Sequence, residues 1–288
     1  MTRATFGLAL AVAAAAVVLS ASHAAPQQAT FSARVEAVRV DALVLDGKRV
    51  VRGLGTADFQ VRDNGVPQDV ELVSFEQVPL LVVLVLDASD SVVGERLAQL
   101  RAAGLAALDG LIVGDQAALL TFNQSVALVS GRTIDVPSLR RALYWTRPGG
   151  GTALYDAIHA GIVVGHCDDA RTLVLVFTDG SDTSSFLTKE AVLDTARRGD
   201  AVVYSAIEGR RTRFLEELAT TTGGSVASVG STKDLPGLFT RILGEFRQRY
   251  LIGYTPKGVA KSGWHRIEVS AKGRSYTVKA RSGYQVGR

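Results

Sequence analysis

The chain has 288 residues, 47% of them hydrophobic and 21% charged, with 29 Gly, 7 Pro and a formal net charge of +4. That length suits one or two domains, and the composition excludes a disordered, collagen-like or repeat-built chain. A lone cysteine, Cys167, excludes a disulfide scaffold, an all-cysteine zinc cage and an iron–sulfur cluster, each of which needs several thiolates.

The first 24 residues read as an export signal. Arg3 precedes an apolar run from Phe6 to Leu19, and Ser22-His23-Ala24 offers small residues at the two positions before a cut. The run is 14 residues long, short of the ~20 that span a bilayer. The mature chain is therefore expected to begin near Ala25 without a membrane span, and to work in the periplasm or outside the cell. A single thiol suits that compartment, because it has no intrachain partner to pair with wrongly.

Residues 25–78 carry a β pattern: Arg34–Leu45, a turn at Asp46-Gly47-Lys48, Phe59–Arg62, a tight-hairpin signal at Asn64-Gly65, and Val70–Phe75. From residue 79 the pattern changes. Leu80–Leu86 is continuously apolar, as a strand covered on both faces must be. Further apolar runs at Ala117–Phe122, Leu173–Phe177, Ala201–Ile207 and, more weakly, Ser225–Val229 alternate with helical stretches. Those stretches are Glu95–Leu108, Ser138–Tyr144, Ala153–Val164, Lys189–Arg197, Arg213–Thr220 and Leu235–Phe246. The alternation predicts an α/β fold over residues 79–247, a doubly wound, mainly parallel six-stranded sheet with helices on both faces. Val126–Val129, just after Asn123-Gln124-Ser125, is expected to turn back as an antiparallel edge strand.

Residues 248–288 return to β structure, with Tyr250–Tyr254, Trp264–Ser270 and Arg274–Arg281. His265, Ile267 and Val269 alternate with Arg266, Glu268 and Ser270, the mark of a strand with one wet face. Neither flank holds enough residues for its own core. The two are expected to pair into one small β-sandwich with the α/β domain inserted between them. Residues 241–288 also hold eleven Lys and Arg against two acids. Because these charges alternate with apolar residues, they read as solubilising charges on exposed strands, where they also discourage edge-to-edge pairing. Nothing in the pattern points to nucleic acid.

In an open parallel sheet, ligands bind beyond the carboxyl ends of the strands. Three polar loops are expected there: Asp87-Ala88-Ser89-Asp90-Ser91, Gly149-Gly150-Gly151-Thr152 and Phe177-Thr178-Asp179-Gly180. Their donors are oxygens, with no thiolate or imidazole among them. That set suits a hard divalent cation in a six-oxygen shell and disfavours zinc and copper. The hydroxyls of Ser89, Ser91 and Thr152 are placed to ligate, with Asp87 and Asp179 acting directly or through bound water.

Asp-x-Ser-x-Ser, a Thr in a Gly-rich loop and Thr-Asp-Gly after a buried strand resemble the metal-ion-dependent adhesion site of von Willebrand factor type A domains. The resemblance covers about residues 79–247. It implies Mg²⁺ or Mn²⁺ held by Asp87, Ser89, Ser91, Thr152 and Asp179, with the shell completed by an Asp or Glu of a protein ligand. It implies binding rather than catalysis. In the flanks, Thr56-Ala57-Asp58-Phe59-Gln60-Val61, Asp63-Asn64-Gly65, Phe75-Glu76, Tyr250-Leu251-Ile252-Gly253-Tyr254 and Arg281-Ser282-Gly283-Tyr284 resemble the von Willebrand A-related proteins first grouped from Acidobacteria. One departure is Asp90, where many relatives carry Gly between the two serines; a third carboxylate makes the rim more negative.

Two other classes compete. A metal-dependent phosphatase forming an aspartyl-phosphate on Asp87 usually places a second acid two residues on, where Ser89 stands. An envelope assembly factor would grip anionic polymer through the basic C-terminal flank, with salt sensitivity and indifference to EDTA. Gly149-Gly150-Gly151 lacks the Lys-Ser/Thr ending of a phosphate-binding loop. His159 and His166 are seven residues apart on one expected helix, ~10.5 Å along its axis, too far for one metal. Asp156 reads as a carboxylate stabilised by the helix dipole.

Overall fold

The computed structural model describes residues 37–74, 78–167, 169–179, 181–209, 211–273 and 275–287. The expected export signal, Phe75-Glu76 and Gly180 lie outside the described residues.

The N-terminal flank folds as β1 (Val38–Asp46), β2 (Arg49–Val50), β3 (Phe59–Asp63), β4 (Val66–Gln68) and β5 (Val70–Ser74). Asn64 and Gly65 close the β3–β4 hairpin with φ of 48° and 81°. Positive φ at both central residues is what a type I′ turn demands.

The middle of the chain runs β6 (Leu80–Asp87), α1 (Glu95–Asp109), β7 (Gln116–Phe122), β8 (Val126–Thr133), α2 (Val136–Trp145) and α3 (Leu154–Val164). It continues with β9 (Arg171–Thr178), α4 (Lys189–Arg198), β10 (Val202–Glu208), α5 (Arg213–Thr222), β11 (Ser225–Val229) and α6 (Leu235–Arg247). The strands form one sheet in the order β11-β10-β9-β6-β7-β8, parallel throughout except for the antiparallel edge pair β7–β8. Every residue of β6 and β9 is buried. Alternate side chains explain why: Leu80, Val82, Leu84 and Leu86 pack toward α1, α2 and α6, whereas Leu81, Val83 and Val85 pack toward α3, α4 and α5. Helix α3 lies so close that a Cβ on Gly161 would come within 2.7 Å of Val85. His166 falls beyond the end of α3, not on one helix with His159 as the spacing suggested. The Nδ1 of His159 lies 2.9 Å from the Thr195 hydroxyl, a packing bond between α3 and α4.

The C-terminal flank supplies β12 (Tyr250–Tyr254), β13 (Gly263–Ala271), β14 (Tyr276–Lys279) and β15 (Gly283–Val286). Strands of both flanks share each of two sheets, β14-β1-β12-β5 with β2 on β1, and β15-β13-β3-β4. Their common core contains Val40, Ala42, Phe59, Val61, Tyr250, Ile252, Tyr254 and Ile267. The strand expected over Arg274–Arg281 is confined to β14, and a further, unexpected strand, β15, follows it. Strand β14 pairs with β1 and β15 with β13, so the chain changes sheets across residues 280–282. Arg281 anchors that corner: Nη1 donates to Asp200 (2.7 Å), Nη2 to the Arg197 carbonyl (3.0 Å) and Nε to the Gly283 carbonyl (2.7 Å).

Arg281 is one of several arginines buried where the two flanks meet the starting edge of the parallel sheet. Arg171, at the first position of β9, pairs with Asp41 of β1 and stacks 4.9 Å above the Phe246 ring. Arg249 has no exposed surface; its Nη2 donates to the Tyr204 hydroxyl (2.7 Å) and the Gly223 carbonyl (2.6 Å). Arg247 pairs with buried Asp115, whose other oxygen accepts from the backbone N–H of Leu80 (2.9 Å). Arg247, Arg249 and Arg281 are thus structural, against the reading of the whole basic tail as surface charge. A guanidinium has five donors in a planar fork, and it can satisfy several strand-end carbonyls at once.

Replacing Arg249 by Ala leaves the Tyr204 hydroxyl and the Gly223 carbonyl without their buried donor, at an expected cost of about 3 kcal/mol. Exposed Arg266 pairs only with exposed Glu268, and its replacement by Ala is expected to cost under about 0.5 kcal/mol. Urea unfolding midpoints of the two variants measure the difference; equal costs would refute the structural role of Arg249.

Candidate functional site

Strand β6 is central, with β9 on one side and β7 on the other. The chain leaves β6 for α1 on one face and leaves β9 for α4 on the opposite face. A crevice therefore opens between the carboxyl ends of these two strands, the usual place for a ligand in an open α/β sheet.

Asp87 is the last residue of β6 and is fully buried. One carboxylate oxygen accepts the Ser89 backbone N–H (2.9 Å), and the other accepts the hydroxyl of Thr178, the last residue of β9 (3.1 Å). The hydroxyls of Ser89 and Ser91 lie 3.1 Å apart, and Ser91 Oγ donates to Asp179 Oδ2 at 3.1 Å. The second oxygen of Asp179 accepts the Ser181 N–H at 3.1 Å. Asp87, Ser89, Ser91 and Asp179 are thus brought into one connected set.

Thr152 sits on the adjoining loop. That loop is fastened to the first by Asp90 N–H to the Gly150 carbonyl (3.0 Å) and Gly149 N–H to the Ala88 carbonyl (2.9 Å). Gly150 suits that position: its φ of +81° strains any other residue, and a Cβ would also displace the end of the Gln124 side chain. The Thr152 backbone bonds to the third loop, donating to the Thr183 hydroxyl (2.9 Å) and accepting from the N–H groups of Thr183 and Ser184. Its hydroxyl has no hydrogen-bond partner among the described residues. The Asp90 carboxylate stands outside the network, 3.9 Å from where a Cβ on Gly149 would lie.

Several side-chain bonds that position this edge were not read from the sequence. Both oxygens of Asp156 accept backbone N–H groups, from Leu187 (2.9 Å) and Phe186 (3.0 Å). Asp156 sits in the first turn of α3, as expected, and it also holds down the loop after β9. Helix α3 begins after Ala153, which offers no capping side chain. The Ser185 hydroxyl supplies the cap instead, accepting from Tyr155 N–H (3.0 Å) and Asp156 N–H (3.2 Å). An Ala at the cap position followed by the polar run Asp182–Ser185 was the available signal that a cap comes from elsewhere.

Burial pushes the Asp87 carboxyl above its usual range; hydrogen bonds from Ser89 pull it back in part, and the negative charge of Asp179 raises it again. A cation beside the pair would oppose both raising effects. Among the described residues no three His, Cys, Asp or Glu side chains gather as a metal cage. The donor set is instead two carboxylates and neighbouring hydroxyls, all hard oxygens, and it fits Mg²⁺ or Mn²⁺ better than a thiolate- or imidazole-seeking ion.

Residues 82–181 match the von Willebrand factor type A domain. The matched stretch contains Asp87, Ser89, Ser91, Thr152 and Asp179. Solved structures of similar fold include a von Willebrand factor type A protein from Catenulispora acidiphila, at 14% identity over 80% of this chain and 73% of that one, with a TM-score of 0.52. Another is the vWF domain of a type V pili tip protein from Porphyromonas gingivalis, at 13% identity over 59% of this chain and 95% of that one, TM-score 0.50. A third is proximal thread matrix protein 1 from the mussel byssus, at 14% identity over 72% of this chain and 50% of that one, TM-score 0.51. At these identities the likeness is one of fold. No curated protein sequence matches the chain.

The raised carboxyl of Asp87 makes a prediction about stability. A group whose pKa rises on folding favours the folded state while protonated, and that contribution is lost as pH climbs through its raised value. In EDTA, Asp87→Asn keeps an acceptor for Ser89 and removes the charge. Its melting temperature at neutral pH is expected to rise by ~2–4 °C, equivalent to about 1 kcal/mol for a domain of this size. A thermal melt on each protein from pH 4 to 7 tests this; a lower melting temperature for the variant at neutral pH would count against a strained carboxylate.

Proposed function

We propose that the protein is an exported, divalent-cation-dependent protein-binding module of the adhesion type, with no catalytic step. The single observation that carries this reading is the chain of hard oxygens from Asp87 through Ser89 and Ser91 to Asp179, set at the mouth of the β6–β9 crevice. Ser89, Ser91 and Thr152 would offer neutral hydroxyls, and Asp87 and Asp179 would hold charge against the ion directly or through water. When bound, Mg²⁺ or Mn²⁺ supplies an electrophilic vertex for an Asp or Glu of the partner. Two carboxylates alone balance the dication, and neutral hydroxyls leave it attractive to an incoming third.

The same proposal assigns residues 1–24 to export and residues 79–247 to the binding domain. Residues 25–78 and 248–288 form the sandwich that carries it, in the manner of the von Willebrand A-related proteins of Acidobacteria. The fold also occurs in a pili tip protein and a byssus thread protein, which suits a role in holding onto a partner. Among the described residues no helix is long and apolar enough to cross a membrane.

Calorimetric titration of residues 25–288 with MgCl₂ and MnCl₂ tests the centre directly. Saturable binding near or below ~1 mM is expected. Asp87→Ala, Ser89→Ala and Asp179→Ala should abolish it, and Thr152→Ala should weaken it by about tenfold, or 1.4 kcal/mol. A pull-down from envelope extract should then retain a partner in Mg²⁺ and release it in EDTA. Absence of binding to either ion, or retention indifferent to EDTA, would remove the adhesion reading.

A further inference from the structure

At the starting edge of the parallel sheet, opposite the Asp87 edge, a groove of about 580 Å³ lies between the last turns of α4 and α5 and the strands β13 and β15. Trp264 on β13 lines it and is 39% exposed. The indole lies against Gly283, where a Cβ would come within 2.4 Å of the ring, and the Arg197 guanidinium sits 5.5 Å from its centroid. Helix α4 ends rigidly there, because the Arg197 carbonyl accepts from Arg281 at 3.0 Å.

Several polar groups lining this groove have no hydrogen-bond partner among the described residues. Among the described residues, the Arg197 guanidinium, the Glu217 carboxylate and the hydroxyls of Thr221 and Ser282 make no hydrogen bond or ion pair. Gln285 spends only its amide nitrogen, at 3.5 Å from the Val286 carbonyl, and keeps its oxygen free. Asp194 also lines the groove but is neutralised by Arg198 at 3.0 Å. Free donors and acceptors therefore surround one indole, and the unpaired charges, one guanidinium and one carboxylate, balance.

We propose that this groove binds a neutral oligosaccharide. Planar guanidinium, carboxylate and amide groups each match a pair of adjacent hydroxyls, which can accept from the first and donate to the other two. The exposed part of the indole offers apolar surface to the C–H groups of a sugar, beside the Arg197 guanidinium that lies over the ring. An apolar ligand would leave these groups desolvated without partners. A polyanion would meet Glu217 as well as Arg197. The volume lies within the range of small-ligand sites, enough for a short oligomer. The lining comes from α4, α5, β13 and β15 together, so the site exists only in the intact chain, and it is independent of the cation site.

The chain has two tryptophans, and the other, Trp145, is 75% exposed. In a Trp145→Phe background, Trp264 alone reports on the groove by fluorescence. Cellotetraose, maltotetraose and chitotetraose are titrated in EDTA, with tetragalacturonate as the acidic counterpart. At least one neutral tetramer is expected to give a saturable shift in Trp264 emission. Arg197→Lys should weaken that binding by about tenfold. Trp264→Ala, followed by calorimetry and checked for an unchanged melting curve, should abolish it, and Asp87→Ala should leave it unaltered. Silence from all three neutral sugars, tighter binding of tetragalacturonate, or indifference to Arg197→Lys would each overturn the proposal.

Discussion

Strands β6 and β9 are buried on both faces along their whole lengths, and this single constraint organises the rest of the molecule. Side chains along such a strand must be apolar on both sides, so every polar function is displaced to the strand ends. At the carboxyl end the result is a pair of carboxylates bound into a network of hydroxyls and backbone N–H groups. At the amino end it is a set of buried arginines that satisfy carbonyls and acids where the flanking sandwich is attached. The two ends differ because different backbone groups are left to be answered there. Exposed backbone N–H groups at loop and helix starts favour anions, whereas the arginines answer carbonyls such as Gly223 and Phe246.

Asp87 illustrates how function and stability compete at one of these ends. Placing a carboxylate at the end of a fully buried strand, near a second acid, is costly for folding. Its hydrogen bonds from Ser89 and Thr178 keep it in position despite that cost. A carboxyl destabilised in this way gains more from a cation than a well-solvated one would. The same arrangement keeps its geometry before any ligand arrives, because three loops are tied to one another through backbone bonds rather than through the carboxylates alone.

The sequence and the structure agree most closely where the physics is local and periodic. The run Leu80–Leu86 can only be a doubly buried strand, Asn64-Gly65 can only be a tight turn, and the six helices follow their apolar spacing to within a few residues. The position of Asp87, Ser89, Ser91 and Asp179 at or just beyond the ends of buried strands was likewise legible, since each stands where an apolar run gives way to polar residues. What escaped was long-range pairing of polar groups. Asp156 and the loop it holds are 30 residues apart, and Arg249 reaches a carbonyl 26 residues away. An arginine in a β-patterned tail looks the same on the page whether it faces water or a neighbouring helix. The sheet change at residues 280–282 was hidden for the same reason, because the buried guanidinium of Arg281 interrupts no hydrophobic alternation.

The way the flanks close on each other also fixes how the α/β body is attached. Strand β12 is clasped on one side by β1 and on the other by β5, with Leu251 opposite Ser74. The α/β body leaves the sandwich after Ser74 and re-enters it at Tyr250, so its two connections sit side by side on the β5–β12 ladder.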